Sequence, residues 1–298
     1  MGTVLMLDLG ETLIHDMKVL PFVPEALTAF MQFEDADRQP LAMCLVSDFD
    51  MPAPPATAAK IATIFKRYVA LLDQLDLRRF FERVDEHVTL STHAGVRKPD
   101  QKIFELAIKR LRVTAKLADC IFITEDEDHI RHCRDALGMK VLQFGTDFHS
   151  WSEAPVRVAA LSATGDVNLP AALSAWGKPH GLHAVSDVMK GGEPGTLHAQ
   201  AQQWVPLSGH GLGTLEGVHV QLPVALGLRL EPDGRIHSVQ TGSPSREDMA
   251  EAASYLRGLV ARGELGEQAG PVATHRIETD SEGRRFLRRR GFTAIAPR

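Results

Sequence analysis

Short apolar runs alternate with longer amphipathic ones through the first 150 residues, and this alternation limits the fold to very few classes. Val4–Asp8 and Leu41–Val46 read as strands, the first ending in an acid and the second at Ser47. Val88–Leu90, Ile121–Thr124 and Val141–Phe144 read the same way. Between them, Pro24–Gln32, Thr57–Leu75, Asp100–Leu111 and His129–Leu137 carry apolar residues at helical spacing. Pro24 and Pro99 sit where a first helical turn tolerates proline, and Gly138 stops the last of these helices. Strand–helix alternation predicts a parallel sheet covered by helices on both faces. In such sheets, ligands gather beyond the carboxyl ends of the strands.

The pattern breaks near residue 150. Val156–Ser162 can close the first domain as a helix, and glycine, proline and serine then accumulate through residue 205. That composition predicts a linker or irregular segment over 161–205. Further on, Val218–Leu230 and Arg235–Gln240 flank the turn Glu231-Pro232-Asp233-Gly234, Ser245–Arg262 reads as a helix, and Ala273–Asp280 with Arg284–Ala294 reads as a second hairpin. The expected class is α/β, a Rossmann-like parallel sheet over 1–160, followed by a smaller α+β domain over 206–298.

Charge divides along the same line. The 298 residues carry a net −5. Residues 1–155 hold 18 basic and 24 acidic groups, a net −6, and the remainder is close to neutral. An acidic chain with only 6% aromatic residues is poorly suited to nucleic acid, which calls for a basic surface and stacking rings. The basic run Arg284, Arg285, Arg288, Arg289 and Arg290 is local, and fits either a solvated strand or a ligand face. Cys44, Cys120 and Cys133 match neither a disulfide framework nor a metal knuckle, which points to a reducing, cytoplasmic setting. The N-terminal segment lacks a basic region ahead of its apolar run, so no secretory signal is expected, and no apolar run reaches the ~18 residues of a membrane span.

Four polar positions follow strand ends or open a helix. Asp8 ends the first strand, and Gly10 lets the chain turn beside it. A carboxylate there serves as metal ligand, as nucleophile, or as a turn acid. Ser47 offers a hydroxyl to a phosphate oxygen or caps a turn. Lys98 precedes a helix, where its charge and the helix N-terminus both favour an anion. Glu125-Asp126-Glu127-Asp128 follows a buried strand, and such a run calls for water or a hard cation.

In order and placement these segments resemble the haloacid dehalogenase-like hydrolase superfamily over about residues 1–160. The matching stretches are Asp8-Leu9-Gly10-Glu11-Thr12-Leu13, Ser47, Arg97-Lys98-Pro99-Asp100-Gln101-Lys102-Ile103-Phe104, and Ile121-Phe122-Ile123-Thr124-Glu125-Asp126. The resemblance implies a phosphatase in which Asp8 forms an aspartyl-phosphate. Ser47 and Lys98 would hold the phosphoryl oxygens. Asp8, the Gly10 carbonyl, Glu125 and Asp126 would hold Mg²⁺. The implied substrate is a phosphorylated small molecule or macromolecule, with no nucleic-acid or membrane partner; a homo-oligomer is compatible with the sequence.

The chain departs from the family pattern at Gly10, where the phosphatases usually carry a second Asp that protonates the leaving oxygen. It departs again at Thr124-Glu125, where Gly-Asp or Asp-Asp is common. Loss of a general acid usually costs 10²–10⁴-fold in rate. The sequence therefore leaves a second reading open, a catalytically degenerate domain that binds or regulates together with the C-terminal domain. The intervals from Leu13 to Leu41 and from Ser47 to Lys98 leave no room for an inserted cap, so the resemblance is to the capless type.

Overall fold

The computed structural model describes residues 2–35, 37–162, 164–265 and 273–290. The chain forms two units, with boundaries after residues 180, 228 and 237; the short stretch Arg229–His237 belongs to the first unit.

The first unit starts with β1 (Val4–Leu7), whose four residues are all buried. A strand apolar on both faces belongs in the middle of a parallel sheet. A two-residue hairpin follows, β2 (Ile14–His15) and β3 (Lys18–Val19), then α1 (Val23–Phe30) and β4 (Ala42–Ser47). Next come α2 (Ala58–Gln74), α3 (Val84–His87), β5 (Val88–Leu90) and α4 (Ser91–Ala94). The remaining elements are α5 (Gln101–Leu111), β6 (Cys120–Thr124), α6 (Glu127–Asp135), β7 (Lys140–Gln143), α7 (Ala154–Leu161) and α8 (Gly165–Gly177).

The sheet order is β5-β4-β1-β6-β7, and the four pairings are parallel. From β1 the chain moves outward to β4 and β5, then crosses back to β6 and β7. The order thus reverses between β1 and β6, where the connections leave a crevice beyond the strand ends. Leu7 pairs with Leu45 on one side and Ile123 on the other, so Asp8, Ser47 and Thr124 all emerge at this end.

One face of the sheet shows why the helices settle on it. Val4 and Met6 of β1, Cys44 and Val46 of β4, and Phe122 of β6 alternate along their strands. Ile103, Phe104, Ala107 and Leu111 form the apolar stripe of α5 that covers them. Phe104 meets Phe122 edge to face at 5.1 Å. Helices α2 and α5 start on side-chain caps: Thr57 Oγ1 accepts from Lys60 N, and Asp100 Oδ1 accepts from Lys102 N.

The second unit holds β8 (Leu182–Lys190), β9 (Thr196–Pro206), all but the end of β10 (His219–Leu230), all but the start of β11 (Ile236–Thr241), α9 (Arg246–Ala261), β12 (His275–Thr279) and β13 (Arg285–Arg289). Its sheet runs β12-β13-β10-β9-β8, with β11 beside β10. Along β10, Val220, Leu222, Val224, Leu226 and Leu228 are buried while Gln221, Pro223 and Ala225 are exposed. Ala253 and Leu256 of α9 pack on Val220 and Leu222.

Two sequence expectations change. Residues 161–205 were expected to be a linker or irregular segment, but they carry α8 and the long strands β8 and most of β9. Their glycines mark the turns between elements instead, with Gly181 and Gly195 in the left-handed region. The second unit therefore begins at residue 181 and not at 206. The hairpin β2–β3 was not expected either. Its turn residues Asp16 and Met17 both adopt positive φ, a geometry normally signalled by Asn-Gly or Asp-Gly. The final hairpin forms as β12–β13, but the part of it expected beyond residue 290 lies outside the described residues.

Candidate functional site

Asp8 leaves β1 with its backbone N–H donating to Ile123 O at 3.0 Å, so the sheet ladder itself fixes where its carboxylate sits. Oδ1 accepts the Leu9 N–H at 2.8 Å. Oδ2 forms an ion pair with Lys98 Nζ and accepts the Thr124 hydroxyl at 3.1 Å. Asp8 and Lys98 are each only 7% exposed, so the two charges face one another largely out of water. There, breaking the pair by removing one partner is costly, because the remaining charge stays buried.

Lys98 is held at both ends. Its backbone N–H donates to Asp48 Oδ1 at 3.1 Å, and its ammonium lies 5.6 Å from the centre of the Phe122 ring. Burial pushes the Cys133 thiol up to about 12, and the Lys98 charge acts in the opposite direction. Cys133 is thus a neutral core thiol and contributes packing only.

Ser47 is buried and accepts a hydrogen bond from Tyr68 OH at 2.8 Å. Burial raises the Tyr68 phenol well above its ordinary range, the bond to Ser47 lowers it, and Asp8 raises it again. Tyr68 is therefore a neutral donor, and the proton of Ser47 remains free to point toward a ligand.

Glu125 approaches from the other side. Its Oε2 accepts the Thr12 hydroxyl and lies 3.3 Å from Thr124 Oγ1. Its backbone N–H donates to Thr12 Oγ1 at 3.2 Å, and its carbonyl accepts from Gln143 Nε2 at 3.0 Å. Thr12 is fully buried, and its carbonyl is held by Trp151 Nε1 at 2.7 Å. Two carboxylates, Asp8 and Glu125, thus meet at one threonine hydroxyl. A hydroxyl carries a single proton and satisfies only one of them. Among the described residues Lys98 is the one cation paired with either of them, and it pairs with Asp8, so the Glu125 carboxylate has no cationic partner.

Asp126 does not join them. Its carboxylate caps α6, accepting the His129 N–H at 2.9 Å, and its other oxygen lies 3.8 Å from His129 Nδ1. Among the described residues no group of three or more His, Cys, Asp or Glu side chains is arranged to hold a metal. The cation set expected from Asp8, Gly10, Glu125 and Asp126 thus reduces, in side chains, to Asp8 and Glu125. An Asp that opens a helix is the natural N-cap, and that need takes the side chain here.

Gly10 is exposed, its φ lies outside the left-handed region, and a Cβ built on it meets nothing within 4 Å. The position is open space that a side chain could enter. Neighbouring Glu11 turns to His15 instead, with Oε2 at 2.5 Å from Nδ1. That contact raises the His15 pKa, through the hydrogen bond first and the Glu11 and Asp16 charges next.

Thr12, Tyr68 and Trp151 were not legible as site residues. Tyr68 reads as one apolar position in the stripe of α2, and nothing local to Trp151 connects it with Thr12. The arginine run is engaged at home. Arg284 pairs with Asp280 and Glu282, Arg285 donates to Thr214 O, and Arg288 lies 4.6 Å over the Trp204 ring. Among the described residues no helix is long and apolar enough to cross a membrane.

No protein-family model matches the chain, and no curated protein matches it. Among solved structures, an uncharacterized protein from Corynebacterium glutamicum ATCC 13032 is similar at 16% identity, over 48% of this chain and 85% of that one, with a TM-score of 0.29.

Proposed function

We propose that the first unit is a haloacid dehalogenase-like phosphohydrolase working through Asp8. The observation that carries this reading is the buried Asp8–Lys98 ion pair at the switch point of a parallel sheet, with Ser47 and Glu125 on the adjoining strand ends. Phosphoryl transfer asks little of a protein beyond positioning and charge neutralisation, and this cluster is built for both.

In this reading an Asp8 oxygen attacks phosphorus as the bond to the leaving oxygen breaks. Oδ1, which among the described residues accepts only the Leu9 N–H, has a lone pair available. Lys98 and Ser47 hold the non-bridging oxygens, and Tyr68 keeps Ser47 in place. The leaving oxygen takes its proton from water, since Gly10 offers none. Water then cleaves the aspartyl-phosphate, releasing phosphate and restoring the carboxylate. The donor set suits Mg²⁺, which is commonly held by one or two carboxylates with water completing its shell. Asp8 and Glu125 would hold it, and its charge would offset that of the transferring group.

A second reading, a degenerate domain that binds without turnover, is favoured by the empty position at Gly10. The two readings separate in one assay. Phosphate release from p-nitrophenyl phosphate and a broad panel of phosphate esters is expected with Mg²⁺, lost on chelation and lost in Asp8→Asn. Absence of Mg²⁺-dependent release across the whole panel sinks the hydrolase.

A further inference from the structure

The residues that flank the phosphate-holding positions also wall a separate space. An open cleft of about 580 Å³ is lined by Asp48, Phe49, Asp50, Met51, Arg67 and Arg97, among others. Asp48 directly follows Ser47, and Arg97 directly precedes Lys98. The two walls are tied together at the reacting end, where Asp48 Oδ1 accepts the Lys98 N–H. The volume is that of an ordinary small-molecule site.

The charges in this cleft are unequally used. Asp48 is committed to the Lys98 backbone. Asp50 pairs with Arg67 at 2.9 Å, and the Arg67 guanidinium lies 5.9 Å from the centre of the Phe49 ring. Both members of that pair are more than half exposed, so an incoming anion could displace Asp50 at small cost. Arg97 has no carboxylate partner among the described residues, as is also true of Arg110 and Arg134, but of these three only Arg97 lines the cleft. A guanidinium presents a planar fork that matches a carboxylate or a phosphate with two parallel hydrogen bonds. Phe49 and Met51 supply an apolar wall between the charged ends.

We propose that this cleft takes the leaving-group side of the substrate and that Arg97, assisted by Arg67, binds a second anionic group there. The substrate class is a phosphorylated small molecule that also carries a carboxylate or a second phosphate. The proposal rests on the hydrolase reading, and the experiment keeps the two apart.

Turnover with Mg²⁺ is compared for phenyl phosphate, 4-carboxyphenyl phosphate and hydroquinone bisphosphate. Either second anion is expected to raise kcat/KM about tenfold or more over phenyl phosphate, and the better of the two identifies the group. In Arg97→Gln this ratio is expected to fall close to one, with Arg97→Lys in between; circular dichroism confirms the fold of each variant. A ratio near one in the unaltered protein, or a ratio that survives Arg97→Gln, overturns the proposal while leaving the hydrolase standing. If no ester is cleaved, calorimetry compares 4-carboxyphenylphosphonate with phenylphosphonate. Tighter binding of the former that is lost in Arg97→Gln supports the cleft although the hydrolase reading has failed. Equal binding of the two overturns the cleft as well.

Discussion

In the proposed hydrolase reading, Gly10 takes the position at which the phosphatases that the chain resembles carry a general acid. It is unstrained, and the space beyond it is open. Gly10→Asp should therefore fold normally and raise Mg²⁺-dependent phosphate release by at least ~10-fold, against the 10²–10⁴-fold typical of a well-placed acid. The check is a steady-state assay on activated and unactivated esters, with the larger gain on the poorer leaving group. Tyr68 offers a second test. Its hydroxyl holds Ser47 at 2.8 Å inside the core. Tyr68→Phe should lower kcat/KM several-fold by freeing Ser47 and should cost about 1 kcal/mol of stability, the usual net value of one such bond. Parallel kinetics and denaturant titration separate the two effects.

At the scale of the element, Asp126 shows how a helix claims a side chain that sequence order offers to a metal. It caps α6, so its carboxylate satisfies a backbone N–H that would otherwise be unpaired. Asp126→Asn should keep the cap, remain within about 0.5 kcal/mol of the original stability, and leave the Mg²⁺ requirement unchanged. Asp126→Ala should lose about 1 kcal/mol. A higher Mg²⁺ requirement in Asp126→Asn, measured by titrating activity with the ion, would reassign the residue to the cation. The helices α2, α5 and α6 were legible from apolar residues at a spacing of 3.6, and the five strands of the parallel sheet from short continuous apolar runs, most of them buried on both faces. The hairpin β2–β3 and the strands β8 and β9 were not. Two-residue strands are too short to show a period, and the burial pattern of β8, with two register shifts against β9, departs from clean alternation.

For the molecule as a whole, acid stability follows in part from two half-buried histidines of the first unit. His93 is held at about 4, chiefly by burial and then by the Arg110 charge, with Asp85 opposing. Burial likewise lowers His87, with Arg83 adding to it and Glu86 opposing. Each binds a proton more weakly in the folded protein than once unfolded. The unfolded state thus binds more protons between about pH 6.5, the ordinary value for histidine, and pH 4. Stability should be intact above that window and fall as pH drops through it. Chemical denaturation at several pH values should show the slope, and His93→Gln should flatten it.

The sequence by itself determined the parallel α/β class of the first unit, the order of its strands and helices, and the exit of Asp8, Ser47 and Thr124 from strand ends, because these depend on local periodicity and chain order. Tertiary structure decided which neighbours those residues have. Only the register of β1 between β4 and β6 sets Asp8 beside Thr124, and only packing brings Tyr68 to Ser47, Trp151 to Thr12 and Lys98 to Asp8. These partners are separated by 21 to 139 positions along the chain where hydrogen bonds join them. No local pattern encodes such contacts, since they form when buried polar groups must find partners wherever the fold supplies them.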